Sequence, residues 1–388
     1  MLRLVRLAST AAAPTPAQAR PELRSILPSK RTINRLLFDE NSQVTYAKMM
    51  PVLEQIYTNL STPSKIEIPP TITSNDLMTF RSMLKSMRTQ TQSINTHLAA
   101  LEMELVEQSA EMGNLDAITI LAYRTIQSHL KRDTVVSTQD KRDFQHANEL
   151  VRQLTQMKHP LVFKMGGDLA LSKSMWTQAH DYYTRFLALD KDSVDAGHVH
   201  YQLGFYFYNS PRDDVRDHDV ARAHFLKCIK LSDLDLSATK AHYYLGQIYL
   251  QGGDFARAKY HWEIAASKAL LESFQALGFL EMNKLGNLHL SVEWFKLGIE
   301  ANKYDAVCLV GLFDCLYKMK RYDDAVKQWN NLKNLKMYFD KAGKMTVSER
   351  EKLPGCENLQ EKWAMVSGIV GGGRKSEIES LRNLGYDV

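Results

Sequence analysis

The glycine-rich stretch GIVGGGRKS, residues 368–376, is the part of the sequence closest to a nucleotide-binding motif. Gly368 and Gly373 have the spacing of the two glycines of a phosphate-binding loop, whose backbone amides bind phosphate oxygens. That motif requires Lys and then Ser or Thr directly after the second glycine, but here Arg374 intervenes before Lys375. No strand pattern precedes the loop. We therefore interpret the stretch as a flexible linker rather than as a phosphate site.

Twelve histidines and four cysteines could bind a metal or act as nucleophiles. His198 and His200 should point to divergent sides of a helix, and the sequence has neither an HExxH motif nor a Cys/His quartet. Cys308 and Cys315 are seven residues apart on one helix face, as buried core positions are. The absence of a CxxC pair favours a reducing compartment without structural disulfides. We expect no metal site and no cofactor, and a binding protein is favoured over an enzyme.

A sequence repeat is the main organising feature from Pro160 onward. In each copy, one helix carries Leu-Gly or a related pair, and a second helix opens with a small residue that is followed four positions later by an aromatic one. The intervals between successive small residues are 42, 37, 33 and 34 positions, and the last two match the tetratricopeptide period. An insertion at the turn in residues 209–218 explains the longest interval. The small residues are Ala179, Ala221, Ala258, Ser291 and Ala325.

These residue types suit the packing of helical hairpins. A glycine such as Gly246 or an alanine such as Ala258 lets two helix backbones approach closely, and Trp262 would fill the space beside them. Each hairpin leaves an apolar side uncovered, so several must stack to be stable. The sequence therefore predicts an all-α, tetratricopeptide-like helical-hairpin solenoid with an irregular N-terminal lead-in. The tryptophans of the repeats should be core residues: Trp176, Trp262, Trp294 and Trp329.

The first helices of the repeats carry a set of aromatic and amide side chains that suits binding of a polypeptide. In tetratricopeptide arrays the first helix of each pair lines a concave groove, so residues at fixed offsets from the repeat glycine should face it. Rings would supply contact area, and amides would hydrogen-bond the backbone of an extended or helical peptide. The alternative is that several of these rings pack between adjacent helices. The predicted peptide-binding groove consists of Tyr201, Phe205, Tyr208, Tyr243, Gln247, Gln251, Gln275, Phe279 and Asn283.

The first twenty residues have the composition of a mitochondrial presequence. They combine apolar residues with Arg3, Arg6 and Arg20, and no acid precedes Glu22. Without them the formal net charge falls from +5 to 5 − 3 = +2, so the rest of the chain is nearly neutral. A disordered N-terminus that happens to carry arginines is the alternative interpretation.

The rest of the chain divides by composition into four segments. No stretch reaches the roughly 18–20 apolar residues needed to span a bilayer, so membrane contact should be peripheral or through a partner. Within the segments we expect a short helix near residues 46–59, a degenerate repeat around Ala117, and a short helix near 357–370 that carries Trp363. The predicted segments are an irregular N-terminal segment (21–75), a helical capping region (76–159), the repeats (160–337) and a C-terminal tail (338–388).

Two other kinds of helical-repeat protein are less favoured. Receptors for chaperone C-termini clamp a carboxylate with lysine and asparagine, but here Lys164 is followed by Asp168, whose charge would repel a carboxylate. A pentatricopeptide-like RNA-binding factor in mitochondrial gene expression has a repeat of nearly the same length. It should have a basic groove, whereas this chain is nearly neutral after residue 20.

Several segments resemble a family of fungal mitochondrial assembly factors of cytochrome c oxidase. The likeness covers roughly residues 28–335, and its first three segments are the distinctive ones. The segments are KRTINRLLF (30–38) with TYAKMMP (45–51), AEMGNLDAITIL (110–121), ANELVRQL (147–154), LGFLEMN (277–283) and VEWFKLGIE (292–300).

This resemblance implies a non-enzymatic protein peripheral to the matrix face of the mitochondrial inner membrane. It would assist export of the C-terminal domain of cytochrome c oxidase subunit two, together with an insertase of the Oxa type. The residues alone identify neither the client nor the insertase.

Overall fold

Every regular element that the computed structural model describes is a helix, as the sequence predicts. The chain divides into two compact units, Met1–Asp190 and Lys191–Val388. Residues 1–19 of the predicted presequence lie outside the described part. The described residues are 20–39, 42–91, 95–131, 137–210, 212–232, 235–350 and 353–388.

The N-terminal part of the first unit is more helical than the predicted irregular segment. α2 was not predicted, although Ile33, Leu36 and Leu37 have helical spacing, and their side chains are buried. α2 contacts α3 and α4, and α3 contacts α5, so the lead-in consists of helices that share one core. The helices are α1 (Leu23–Ile26), α2 (Lys30–Asp39), α3 (Tyr46–Thr58), α4 (Ser74–Thr91) and α5 (Thr96–Glu111).

Four more helices complete the first unit. Gly113 has a φ of +86°, which suits glycine, and forms the turn after α5. Ala117 lies in the first turn of the next helix, which packs more extensively against the helix after it than against α5. The repeat pattern predicted that this alanine opens the second helix of a pair. In the structure it opens the first helix of a pair. Trp176 begins a helix with 37% of its surface exposed, so the prediction that it is a core residue is wrong. The helices are α6 (Leu115–Leu130), α7 (Thr138–Gln156), α8 (Pro160–Ser172) and α9 (Trp176–Leu189).

Four helical hairpins make up the predicted repeats of the second unit. Side-chain caps define where most of their helices begin; for example, Asp235 and Asp254 accept hydrogen bonds from backbone amides of the first turn. The hairpins are α10 (Val194–Asn209) with α11 (His218–Leu231), α12 (Leu236–Gln251) with α13 (Phe255–Ser267), α14 (Leu271–Leu280) with α15 (Leu288–Ala301), and α16 (Ala306–Lys318) with α17 (Tyr322–Gly343).

The repeat glycines lie where the two helices of a hairpin cross. A Cβ added to Gly246 would lie 2.3 Å from Nε1 of Trp262, and one added to Gly278 would lie 2.5 Å from the ring of Phe295. The same contact joins Gly204 to the Phe225 ring, and in α8 it joins Gly167 to the Tyr183 ring. The packing role assigned to the glycine and the aromatic residue is confirmed.

The predicted C-terminal tail is a packed part of the second unit. α17 continues to Gly343, so the predicted boundary at residue 337 falls inside a helix. Val366, Ile378 and Leu381 are buried in one cluster with residues of α16 and α17. The helices that follow are α18 (Val347–Arg350), α19 (Leu359–Gly368) and α20 (Lys375–Asn383).

The glycine-rich stretch between α19 and α20 forms a helical turn, Ile369–Gly373. Nε and Nη2 of Arg374 both donate to the carboxylate of Asp314 on α16, each at 2.7 Å. The prediction of a flexible linker gives way to a segment that is fixed to the last repeat by this bidentate ion pair.

Candidate functional site

The aromatic residues predicted on α10 and α12 meet where these two first helices lie side by side. The Phe205 ring centroid is 5.5 Å from that of Tyr244, in an edge-to-face arrangement, and the Tyr208 ring is 5.1 Å from the same tyrosine. Phe205 and Tyr208 are half-buried. The two helices therefore present a common surface, which we call the first-helix face and define as Phe205, Tyr208, Tyr243, Tyr244, Gln247 and Gln251.

The phenols and amides of this face interact with one another. Nε2 of Gln247 donates to the hydroxyl of Tyr243 at 3.1 Å, and the side chain of Gln251 on α12 acts on the Tyr208 hydroxyl of α10. Partial burial raises the pKa of the Tyr208 and Tyr243 hydroxyls, so both are neutral at physiological pH. Gln251 is exposed, and Tyr243 and Gln247 are half-buried. The face thus offers neutral donors and acceptors beside partly accessible rings.

Tyr201 is not part of this surface. Only 9% of its surface is exposed, and its ring lies 6.2 Å from that of Phe225 in a core cluster shared by α10, α11 and α12. Burial also raises the pKa of its hydroxyl. Tyr201 therefore packs between adjacent helices, which is the alternative that the sequence left open.

The three positions predicted on α14 have different environments. Nε2 of Gln275 donates to Oδ2 of Asp305 at 2.8 Å. Phe279 is half-buried, with its ring 5.1 Å from that of Phe295 in its own hairpin, and Asn283 is exposed in the wide helical turn that ends this helix. Gln275 and Phe279 thus have structural partners, and only Asn283 is freely accessible.

Tyr244 is the residue of the first-helix face that sequence reasoning missed. Its ring contacts Phe205, Tyr208 and Phe225, and it stacks on Phe225 at 5.5 Å with 9° between the ring planes. The fixed offset from Gly246 selected Tyr243 and passed over its neighbour. The doublet Tyr243-Tyr244 was the available signal, because one turn of helix can present both rings between two flanking helices.

In each of two consecutive hairpins, α10–α11 and α12–α13, a histidine pair joins the first helix to the second. Nδ1 of His200 is 2.9 Å from Nδ1 of His224, and Nδ1 of His242 is 2.9 Å from Nδ1 of His261. In both pairs the first histidine lies four residues before the repeat glycine, and the second lies three residues after the repeat alanine. The sequence shows only that His198 and His200 are neighbours, and it does not reveal these pairings between helices.

Burial makes three of these histidines hard to protonate, namely His200, His242 and His261. Desolvation, followed by the charge of Lys227, lowers the pKa of His200 to about 4. Desolvation, then His242 and then Arg257, lowers the pKa of His261 to about 4, and desolvation also lowers the pKa of His242. Each pair can therefore share a single proton in an Nδ1–H···Nδ1 hydrogen bond between neutral rings.

The hairpins that come before and after these two in the sequence have aromatic residues at the same two positions. In the α8–α9 hairpin these positions are Phe163 and Tyr182. In the α14–α15 hairpin they are Phe274 and Trp294, whose rings are 6.4 Å apart. The histidine pairs thus replace ring-to-ring contacts of the helix crossing, which indicates a packing role.

Neither a metal centre nor a membrane span is found in the described part of the chain. No group of three or more His, Cys, Asp or Glu side chains there could hold a metal ion. None of the helices described is both long and apolar enough to cross a bilayer.

The chain is similar to a known fungal protein over most of its length. Residues 19–114 match the family described as the MSS2 N-terminal domain. "Protein MSS2, mitochondrial" of Saccharomyces cerevisiae is 33% identical over 319 residues, which cover 81% of this chain and 87% of the yeast protein.

Two solved structures are similar at a much lower level. The human IFIT1 dimer with PPP-AAAA covers 87% of this chain and 78% of its own, with 12% identity and a TM-score of 0.44. The protective antigen c5321 of uropathogenic Escherichia coli, which displays an SLR fold, covers 92% and 87%, with 13% identity and a TM-score of 0.40. At this level they carry no inference about a ligand. The yeast match, in contrast, extends across most of both sequences and confirms the resemblance seen in the sequence, so the chain belongs to the MSS2 family.

Proposed function

We propose that this protein is a non-enzymatic mitochondrial factor that binds a client polypeptide on the first-helix face. The observation that carries this proposal is the set of half-buried tyrosines and glutamines on α10 and α12. The hydrogen bond from Gln247 to Tyr243 and the ring contacts of Tyr244 with Phe205 and Tyr208 keep them ordered. Gln251 and the accessible edges of the rings remain open to a partner. Pre-ordered aromatic and amide side chains lose little entropy when they bind, which favours affinity for a peptide.

The cellular role follows from the family. The yeast relative is named as a mitochondrial protein, which supports the same compartment here. On the resemblance to assembly factors of cytochrome c oxidase, we further propose peripheral attachment to the matrix side of the inner membrane. There the client would be the C-terminal domain of cytochrome c oxidase subunit two, exported with the help of an Oxa-type insertase.

The chemistry of the first-helix face favours a polypeptide over RNA. All six of its residues are uncharged, whereas binding to a phosphate backbone relies on lysine and arginine. Tyrosine rings could stack on bases, but stacking alone would supply only part of the affinity.

A binding titration with the purified client domain tests the proposal. Replacing Tyr243 and Gln247 together by alanine should weaken binding by about 1–2 kcal/mol for each true contact residue. The variant should remain folded, because the bond that Trp262 donates in this region goes to the backbone oxygen of Tyr243. Its melting temperature should fall somewhat, because the Tyr243 side chain is half-buried against the Trp262 cluster. The matched control is Tyr260→Ala with Glu263→Ala, which removes an exposed tyrosine and an exposed polar side chain from α13.

The two variants have opposite expected outcomes. The control should bind like the wild type, and the first-helix variant should bind weakly with an unchanged far-UV circular dichroism spectrum. Full-strength binding by a folded first-helix variant would refute this site. Tight, salt-sensitive binding of RNA that is lost in the same variant would favour the RNA-binding alternative instead.

A further inference from the structure

The solvent face of α2 carries an exposed phenylalanine that the fold does not use. α2 buries Ile33, Leu36 and Leu37 in the core of the first unit. Phe38, on the same helix, is 81% exposed, the largest value among the large apolar side chains described. An aromatic ring left in water contributes little to folding and remains available to a partner.

Two arginines precede Phe38 on the same side of the helix. At 100° per residue, Arg31, Arg35 and Phe38 fall within an arc of about 60°, opposite the buried side of the helix. Both arginines are exposed and have no ion-pair partner among the described residues. Lys30 lies outside this arc, with its Nζ 5.4 Å from the ring of Tyr46.

The net charge of α2 is positive. The helix has three cations and one acid, Asp39, so its net charge is 3 − 1 = +2. Arg31 and Arg35 lie on the side of Phe38, and Asp39 is next to Arg35 on the helix surface. A guanidinium can donate two parallel hydrogen bonds to a phosphate, and an aromatic ring beside such groups can enter the boundary between headgroups and acyl chains. The same combination is typical of helices that lie in a membrane interface.

We propose that this face of α2, formed by Arg31, Arg35 and Phe38, docks on an anionic lipid surface. The inference rests on the membrane-peripheral part of the proposed function and names the element that makes the contact. It concerns the first unit and is independent of client binding by the second unit. An acidic protein is the competing partner, and the experiment separates the two.

Flotation with protein-free vesicles tests the proposal on the full chain. All proteins would carry Arg3→Gln and Arg6→Gln, so that the predicted presequence contributes little to binding. The protein with the wild-type α2 sequence should float with vesicles of phosphatidylcholine containing 30% phosphatidylglycerol, but not with vesicles of phosphatidylcholine alone. Rising salt should release the protein from the anionic vesicles. Arg31→Gln with Arg35→Gln should lower the partition coefficient by about 30-fold, or roughly fivefold per arginine. Phe38→Ala should lower it by about tenfold.

A matched charge change provides the control. Arg152→Gln with Arg185→Gln removes two exposed arginines elsewhere in the first unit and should leave flotation unchanged. The melting temperatures of all variants should agree, because each replaced side chain is exposed. Client binding in solution should be normal in the α2 variants, so loss of flotation and loss of client binding can be told apart.

Three results would overturn the proposal. The first is flotation with anionic vesicles that the α2 substitutions do not reduce, and the second is no flotation at all. The third is binding to mitochondrial membranes that depends on α2 but disappears after protease treatment of those membranes, which would identify a protein partner.

Discussion

The buried histidines His200 and His261 should make the second unit sensitive to mild acid. The pKa of His200 and that of His261 fall from an ordinary value of 6.5 to about 4 in the folded state. A lowered pKa means that the unfolded chain binds protons more readily than the folded one. The stability that these groups contribute is therefore complete above pH 6.5 and is lost as the pH falls from 6.5 toward 4.

The magnitude follows from the two pKa values. Between pH 7 and pH 5 each of these imidazoles should lower the free energy of unfolding by about 2 kcal/mol, so the two together should lower it by about 4 kcal/mol. Below pH 4 this contribution should level off, because the folded state then also binds the protons.

The neighbouring hairpin suggests the variant that removes one pair. His242→Phe with His261→Trp introduces the residues that α14 and α15 have at the same positions, Phe274 and Trp294. Its free energy of unfolding should fall by about 2 kcal/mol less than that of the wild type between pH 7 and pH 5. His289→Phe, a change at an exposed histidine, is the control and should behave like the wild type.

Urea unfolding followed by circular dichroism at pH 5, 6, 7 and 8 measures the effect. If the wild type and the His242→Phe, His261→Trp variant lose the same stability between pH 7 and pH 5, the histidine pairs are not the source of the acid sensitivity. The carboxylates of the chain would then have to account for it, and the reasoning from burial would be refuted.

Three further predictions concern the helix crossing, the C-terminal ion pair and the presequence. Gly246→Ala places a Cβ 2.3 Å from Trp262 and should destabilise the protein by about 1–3 kcal/mol in thermal melts, whereas Gly343→Ala, with open space around it, should be neutral or slightly stabilising. Arg374→Ala leaves the largely buried carboxylate of Asp314 without its partner and should lower the free energy of unfolding by about 3 kcal/mol. The double variant Arg374→Ala, Asp314→Asn should recover part of this stability. Equal stabilities of the wild type and Arg374→Ala would mean that the ion pair does not hold the C-terminal helices. Arg3→Glu with Arg6→Glu should block import into isolated mitochondria, and unchanged import would contradict the presequence assignment.

The repeated hairpins could be predicted because their signal is local. Gly246, Ala258 and Trp262 are close in sequence, and each is constrained by the same helix crossing, so residue type and spacing report the packing directly. The helical hairpins from α8 to α17 were visible for this reason. α2 was also visible in principle, through Ile33, Leu36 and Leu37, but the prolines around it suggested an irregular segment.

The binding surface could be predicted only in part, because exposure depends on neighbours distant in sequence. Tyr201 and Phe205 occupy similar offsets on α10, yet the Phe225 ring helps to bury the first, whereas the second packs edge-on against Tyr244 and is only half-buried. The same limitation hid the histidine pairs, whose members are 24 and 19 residues apart. It also hid the packed C-terminal helices, since the pairing of Arg374 with Asp314 spans 60 residues.

The C-terminal helices have a consequence for how the protein behaves at high concentration. A stack of helical hairpins has an apolar end wherever its last hairpin is not covered, and two such ends can join molecules end to end into open chains. Here Val366, Ile378 and Leu381 share a cluster with Trp329 and Phe339 of the last repeat helix. α19 and α20 thus close the stack with their own side chains, and they turn a surface that could polymerise into the interior of a single molecule.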